Sequence, residues 1–221
     1  SEQQRLAFVG SRAPLRQLQT SEPHEPVARV SMIVGPSGSG ATRLCAEYLT
    51  DAHDRGLGVV YAPASEAGDG AFGALVAALP SLGEPITAAL AAGGDTETRR
   101  ATSWQIVRRA FATAATDVGL VVVIDNCQWV DSYLLELIAH LVRSVPDHPL
   151  HLVLCGRPVT TEHPWAAVQQ IARRAGAQEV LPATLHEDEI AELVRAARPD
   201  ASSRAVAGTA RTLADESDGR P

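Results

Sequence analysis

Gly35-Pro36-Ser37-Gly38-Ser39-Gly40-Ala41-Thr42 has the composition of a loop that wraps a phosphate group. Glycines let main chain approach an anion closely, and amides opening a following helix point their N–H groups toward it. The stretch fits the spacing G-x-x-x-x-G-K-[ST], the Walker A loop, at every fixed position except the lysine, which is Ala41. Thr42 retains the hydroxyl that would ligate Mg²⁺. A methyl group cannot supply the ammonium that neutralises β- and γ-phosphate charge. A hydrogen bond to a charged group contributes about 1.5–3 kcal/mol, so its loss weakens binding by about ten- to a hundredfold without abolishing it.

The second chemical element is Val121-Val122-Val123-Ile124-Asp125, an apolar run ending in an acid, as a Walker B strand requires. Emerging beside the loop, Asp125 would orient the water shell of Mg²⁺ while Thr42 contacts the metal. The expected ligand set is therefore ATP or ADP with Mg²⁺, held by residues 35–42 together with Arg43.

Positioning these groups requires strands that end where the ligand lies. Val27 to Val34 is rich in β-formers and stops at the glycine loop; Leu44, Cys45, Tyr48, Leu49 and Ala52 follow at helical spacing, and Val59-Val60-Tyr61 reads as the next strand. Helices are expected near Phe72 to Leu79, Pro85 to Ala91 and Arg99 to Thr116, with a loop at Gly93-Gly94-Asp95. Leu120 to Ile124 lacks alternation, as a central parallel strand covered on both faces does. A helix from Asp131 or Ser132 to Val145, a strand Leu150 to Leu154, a helix around Trp165 to Ala175 and a strand Glu179 to Leu181 continue a βα alternation, which makes the chain α/β. Beyond Pro182 the strands stop, and Glu187 to Arg198 and Ala201 to Glu216 read as helices. The expected division is an α/β core over residues 1–182 and the beginning of a helical lid over 183–221. The ending at Gly219-Arg220-Pro221 suggests a piece of a longer protein.

The chain resembles the nucleotide-binding domain of AAA/STAND signal-transduction ATPases, especially those at the front of large LuxR-type transcriptional regulators. Phe8-Val9-Gly10-Ser11-Arg12 with Leu15 and Leu18 resembles the F-V-G-R-x-x-E-L opening that lies against adenine. Gly35 to Leu44 is similar to G-x-x-G-x-G-K-T-R-L, and Asp125 to Asp131 to D-D-x-H-W-A-D. Leu154-Cys155-Gly156-Arg157 resembles the strand ending in a sensor arginine, and Gly219-Arg220-Pro221 matches the G-x-P of the lid. The resemblance implies a three-layer P-loop NTPase with a five-stranded parallel sheet in the order 5-1-4-3-2. It implies catalytic roles at Asp125, position 126 and Arg157, and nucleotide contacts from Phe8, Val9 and Pro221. Asn126 replaces the second acid beside the attacking water, and an amide cannot take up a proton, so turnover should suffer more than binding. Gln128 stands for the family's histidine and Ser11 for an arginine. Arg43 or Arg157 would restore part of the missing charge, although Arg43 also reads simply as a solvated helix residue.

Three functions stay open at this point: a nucleotide-binding regulatory switch with little or no hydrolysis, an ATPase using unconventional residues, and an interaction module on an empty loop. Ala41 is either natural degeneracy or an engineered lysine replacement. Composition narrows the partners. A formal charge of −7 argues against nucleic-acid binding by this segment, and no apolar run suits a bilayer. The expected location is the cytoplasm, with C-terminal domains of the same protein as partners and an oligomer left open. All nineteen Lys-or-Arg residues are arginine, and Cys45, Cys127 and Cys155 lack metal-ligand spacing and read as buried thiols. His148 and His151, flanking Pro149, read as surface loop, Trp129 as a packing anchor beneath the Walker B loop, and the paired arginines 99–100, 108–109 and 173–174 as helix surface.

Overall fold

The computed structural model describes residues 12–21, 28–66, 74–75, 96–115, 118–130, 132–143 and 149–217. Helix α1 (Arg12–Thr20) precedes strand β1 (Arg29–Val34), helix α2 (Ala41–Asp54) and strand β2 (Gly58–Pro63). Then follow α3 (Thr96–Ala114), β3 (Leu120–Asp125), a short 3₁₀ turn Cys127–Trp129, α4 (Ser132–Arg143), β4 (Leu150–Gly156), α5 (Pro164–Arg174) and β5 (Gln178–Val180). Helices α6 (Glu187–Ala197) and α7 (Ser203–Ser217) end the described chain. Helix α1 had no counterpart in the sequence reading, and Leu181, expected in the last strand, lies outside it and is 68% exposed.

The five strands are all parallel and run β2-β3-β4-β1-β5, which is the expected order 5-1-4-3-2. The central strands β3 and β4 are buried along their whole length, which explains why their sequences do not alternate. Edge strand β2 does alternate, with Val60 and Ala62 buried and Val59 and Tyr61 partly open.

Two apolar layers flank the sheet. Helices α3, α4 and α5 cover one face through Val107, Phe111, Ile138, Leu141, Trp165 and Val168, which pack on Val122, Ile124, Leu152 and Leu154. Helices α1 and α2 cover the other through Leu18, Leu44, Cys45 and Tyr48, packed on Ile33, Val121, Val123 and Val153. Each such large aliphatic side chain withdrawn from water contributes about 1.5–3 kcal/mol, which fixes the register of strands whose ends carry the chemistry. Helices α6 and α7 pack against each other around Ile190, Val194, Val206 and Ala210, a separate cluster. The opening of α6 is held by the Glu189 carboxylate, which accepts the His186 N–H at 2.8 Å.

The α2-side layer contains one polar group that the sequence reading placed on the surface. His151 is fully buried in β4, with Nε2 2.8 Å from Ser31 Oγ and Nδ1 2.6 Å from Tyr48 Oη. Its two partners, on β1 and α2, satisfy both ring nitrogens, so the proximity of Pro149 did not make it a loop residue. Burial, with the Arg29 cation adding to it, pulls its pKa down from 6.5 to about 3.

Candidate functional site

Chain order places the loop after β1 beside the ends of β4 and β3. The Gly35 N–H donates to the Gly156 carbonyl at 3.2 Å, extending the β1–β4 pairing by one rung into the loop. A turn closed by Ser39 N–H on the Pro36 carbonyl (3.1 Å) then lifts the chain away from the sheet. Gly38 and Gly40 both take φ 76°, a left-handed backbone in which a side chain would be strained, so the glycines are required by the turn itself. Helix α2 begins directly: Leu44 N–H to Gly40 carbonyl at 2.8 Å is its first intrahelical bond. The amides of Ala41, Thr42 and Arg43 thus have no acceptor within the helix and stand at its positive end.

These residues line a cavity of about 480 Å³. Gly35 to Arg43 and Ala46 form one wall, and Asp125, Asn126, Cys155, Gly156 and Arg157 form the other. The loop is open, and the buried Ser39 hydroxyl has no hydrogen-bond partner among the described residues. An open loop of helix-end amides with an unpartnered hydroxyl beside it has the donor set that fits a phosphate group, and the nearby Thr42 hydroxyl and Asp125 carboxylate are oxygen groups suited to Mg²⁺. No cluster of His, Cys, Asp and Glu suited to a metal occurs among the described residues.

Asp125 is 1% exposed. Its Oδ2 accepts the Tyr61 hydroxyl at 2.9 Å and its Oδ1 accepts the Asn126 N–H at 2.8 Å, while the Asp125 carbonyl accepts the Ala64 N–H at 2.9 Å. Tyr61 was read from sequence only as a strand residue. Its role depends on β2 lying next to β3, with Tyr61 opposite Val123 on the face that carries Asp125. Burial and the Asp125 charge, with their shared hydrogen bond, push the Tyr61 phenol far above 10, so it remains a donor.

Asn126 has φ 58°, the one positive value at a non-glycine residue among those described. Its side-chain carbonyl accepts Gln128 Nε2 at 3.3 Å, and Gln128 Oε1 accepts the Arg157 N–H at 3.0 Å. Gln128 is therefore a strut between the ends of β3 and β4, a function that substitution of the expected histidine did not announce. Trp129 is 38% exposed, because the 3₁₀ turn directs Cys127 and Gln128 inward and leaves Trp129 outside; it is not the expected buried anchor.

Arg157 is exposed at the mouth of β4 and lines the cavity opposite the loop. Arg43 also lines it but pairs with Glu47 one helical turn later, at 2.7 Å. Phe8, Val9 and Pro221, expected to contact nucleotide, lie outside the described residues, as do Gly10, Ser11, Gly219, Arg220, His148 and the segments 67–73 and 76–95. Arg108, Arg109, Arg173 and Arg174 are exposed helix residues. Cys45, Cys127 and Cys155 are free and buried. Desolvation and the Asp125 charge raise the Cys127 thiol pKa; a hydrogen bond with Cys45 and desolvation raise that of Cys155. No described helix is long and apolar enough to cross a membrane.

Comparison with solved structures finds the same architecture. Cdc6p from Pyrobaculum aerophilum is 14% identical with a TM-score of 0.58, over 92% of this chain and 56% of that one. A Signal Transduction ATPase with Numerous Domains carrying a tetratricopeptide repeat sensor, from Pyrococcus horikoshii, is 15% identical with a TM-score of 0.57, over 98% and 29%. The Aeropyrum pernix ORC1 protein, solved in complex with DNA, is 12% identical with a TM-score of 0.54, over 100% and 63%. The chain thus spans less than two thirds of each of these proteins, and at such identities the likeness is one of fold. No curated protein matches by sequence. The profile of the AAA ATPase domain matches residues 7–155, more than half the chain, and the protein belongs to that family.

Proposed function

We propose that this domain binds ATP or ADP with Mg²⁺ as a regulatory switch and hydrolyses it slowly or not at all, within a larger cytoplasmic signalling or transcriptional regulator of the LuxR-associated STAND type. The observation that carries the proposal is the open loop: with Ala41 in place of lysine, residues 35–43 still border a cavity of about 480 Å³ that Asp125 and Arg157 close from the other side. An interaction module on an unused scaffold would tolerate side chains filling that space, so the cavity favours the nucleotide reading.

The chain's own groups divide the work. Amides at the start of α2 would hold phosphate, Thr42 and Asp125 would hold the metal, and Arg157, on the opposite wall of the cavity, would approach the terminal phosphate. When bound, Mg²⁺ would screen phosphate charge that lysine no longer screens. Asn126 cannot accept the proton of an attacking water, and its carbonyl is engaged by Gln128, so hydrolysis lacks a base. Residues 183–221, including α6 and α7, would act as the lid whose contacts differ between nucleotide states and bias the C-terminal partner domains.

Calorimetry and thermal-shift measurements with millimolar Mg-ATP and Mg-ADP test this. Saturable binding without steady phosphate release is expected. Absence of binding to either nucleotide rejects it, and a steady phosphate-release rate that disappears in Asp125→Ala assigns an active ATPase instead.

A further inference from the structure

The carboxylate of Asp125 sits almost entirely out of water, yet its neighbourhood supplies no cation within hydrogen-bonding distance among the described contacts. Two N–H and O–H donors hold it instead: the Asn126 N–H on Oδ1 (2.8 Å) and the Tyr61 hydroxyl on Oδ2 (2.9 Å). The first belongs to the adjacent peptide unit and would persist in any residue at position 126 except proline. The second comes from another strand and is the hydroxyl donor to this carboxylate, beside the buried Cys155 thiol, a weaker donor that also neighbours it. Tyr61 reaches it because β2 and β3 pair in parallel with Pro63 opposite Asp125, and Ala64 N–H on the Asp125 carbonyl ties the strand ends together. Tyr61 itself is 40% exposed, so the hydrogen bond is maintained at the sheet edge rather than by burial of the ring.

An ionised carboxylate has about four lone-pair sites, so two bonds leave room for a metal-bound water or a direct metal contact. They also fix the carboxylate's rotation. Outer groups that orient a metal-binding carboxylate typically account for about 10–100-fold in metal affinity.

Resting on the proposed nucleotide site, we infer that Tyr61 is a positioning residue, which holds Oδ2 of Asp125 so that the carboxylate meets the Mg²⁺ of a bound nucleotide. Tyr61 is not among the residues lining the cavity; it acts through Asp125. A purely architectural tyrosine at a sheet edge would affect the fold equally with and without metal. A positioning tyrosine affects only the metal-assisted part of binding.

The test is Tyr61→Phe, which removes one oxygen and keeps the ring. ADP and ATP affinities of the whole chain are measured by calorimetry in Mg²⁺ and in EDTA, beside thermal melts without ligand. The expected result is an affinity in Mg²⁺ lowered by about tenfold, with affinity in EDTA unchanged. Equal losses in both conditions, or no loss in either, overturn the inference. Absence of nucleotide binding by the unaltered chain is a failure of the proposed function, separable from that of Tyr61. Mn²⁺ titration followed by electron paramagnetic resonance then decides: weaker Mn²⁺ binding by Tyr61→Phe supports the role, and equal or undetectable binding by both proteins overturns it.

Discussion

Gln128 Oε1 accepts the backbone N–H of Arg157 at 3.0 Å, across 29 residues of sequence. This contact joins the loop following the Walker B strand to the end of β4, and Gln128 Nε2 passes the connection on to Asn126. The arginine at the cavity mouth is thereby referenced to the acid-bearing strand rather than left to the mobility of an exposed strand end.

Gln128→Leu, which keeps much of the side-chain volume, should therefore leave the Arg157 N–H without an acceptor. The expected cost is about 0.5–1.5 kcal/mol, the net worth of a hydrogen bond at a part-buried site, read as a lower urea midpoint with unchanged slope. Nucleotide binding should weaken as well, because Arg157 loses its fixed anchorage.

Gly156→Ala probes the same junction from the other side. A Cβ there would lie 2.9 Å from Trp165 Nε1 and 3.2 Å from Gln128 Oε1. Both neighbours are buried, so the overpacking should destabilise the domain by about 1–3 kcal/mol in chemical denaturation.

Restoring the missing cation separates two defects. Ala41→Lys should raise ATP affinity by about ten- to a hundredfold in calorimetry. Phosphate release should remain low in that variant and rise only when Asn126→Asp is added. A high rate from Ala41→Lys alone would remove Asn126 from the explanation.

The buried His151 makes stability depend on pH. Its folded pKa is about 3 against 6.5 when exposed, so between these values the unfolded chain binds a proton that the folded chain refuses. The contribution is complete above pH 6.5 and is lost as pH falls through that window, with a slope of up to about 1.4 kcal/mol per pH unit. Urea unfolding followed from neutral pH to about pH 5 should show a steeper decline for the native chain than for His151→Gln.

The sheet and its two motif-bearing ends were legible because their signals are local. An unbroken apolar run specifies a central strand, and glycine spacing specifies a turn with left-handed backbone, wherever the chain goes afterwards. Tyr61, Gln128 and His151 were not legible in the same way, since each acquires its partner only when β2, β3, β4 and α2 are packed. His151 shows the point: proline and a second histidine beside it suggested surface, and only the adjacency of Ser31 and Tyr48 makes a buried imidazole tolerable. Trp129 failed in the opposite direction, because a single turn of 3₁₀ geometry decides which of three neighbouring side chains faces the core. Helix α1 carries little apolar content beyond Leu15 and Leu18, and it forms because those two find the α2 layer.

The left-handed backbone at Asn126 restricts which amino acids can follow the Walker B carboxylate. Glycine, asparagine and aspartate are at ease there, whereas bulky or β-branched replacements are not. Aspartate differs from asparagine by exchange of an amide NH₂ for an oxygen, and their codons differ by a single base. Drift at this position is therefore channelled between a silent amide and a proton-accepting acid, leaving the domain one mutational step from a changed capacity for turnover.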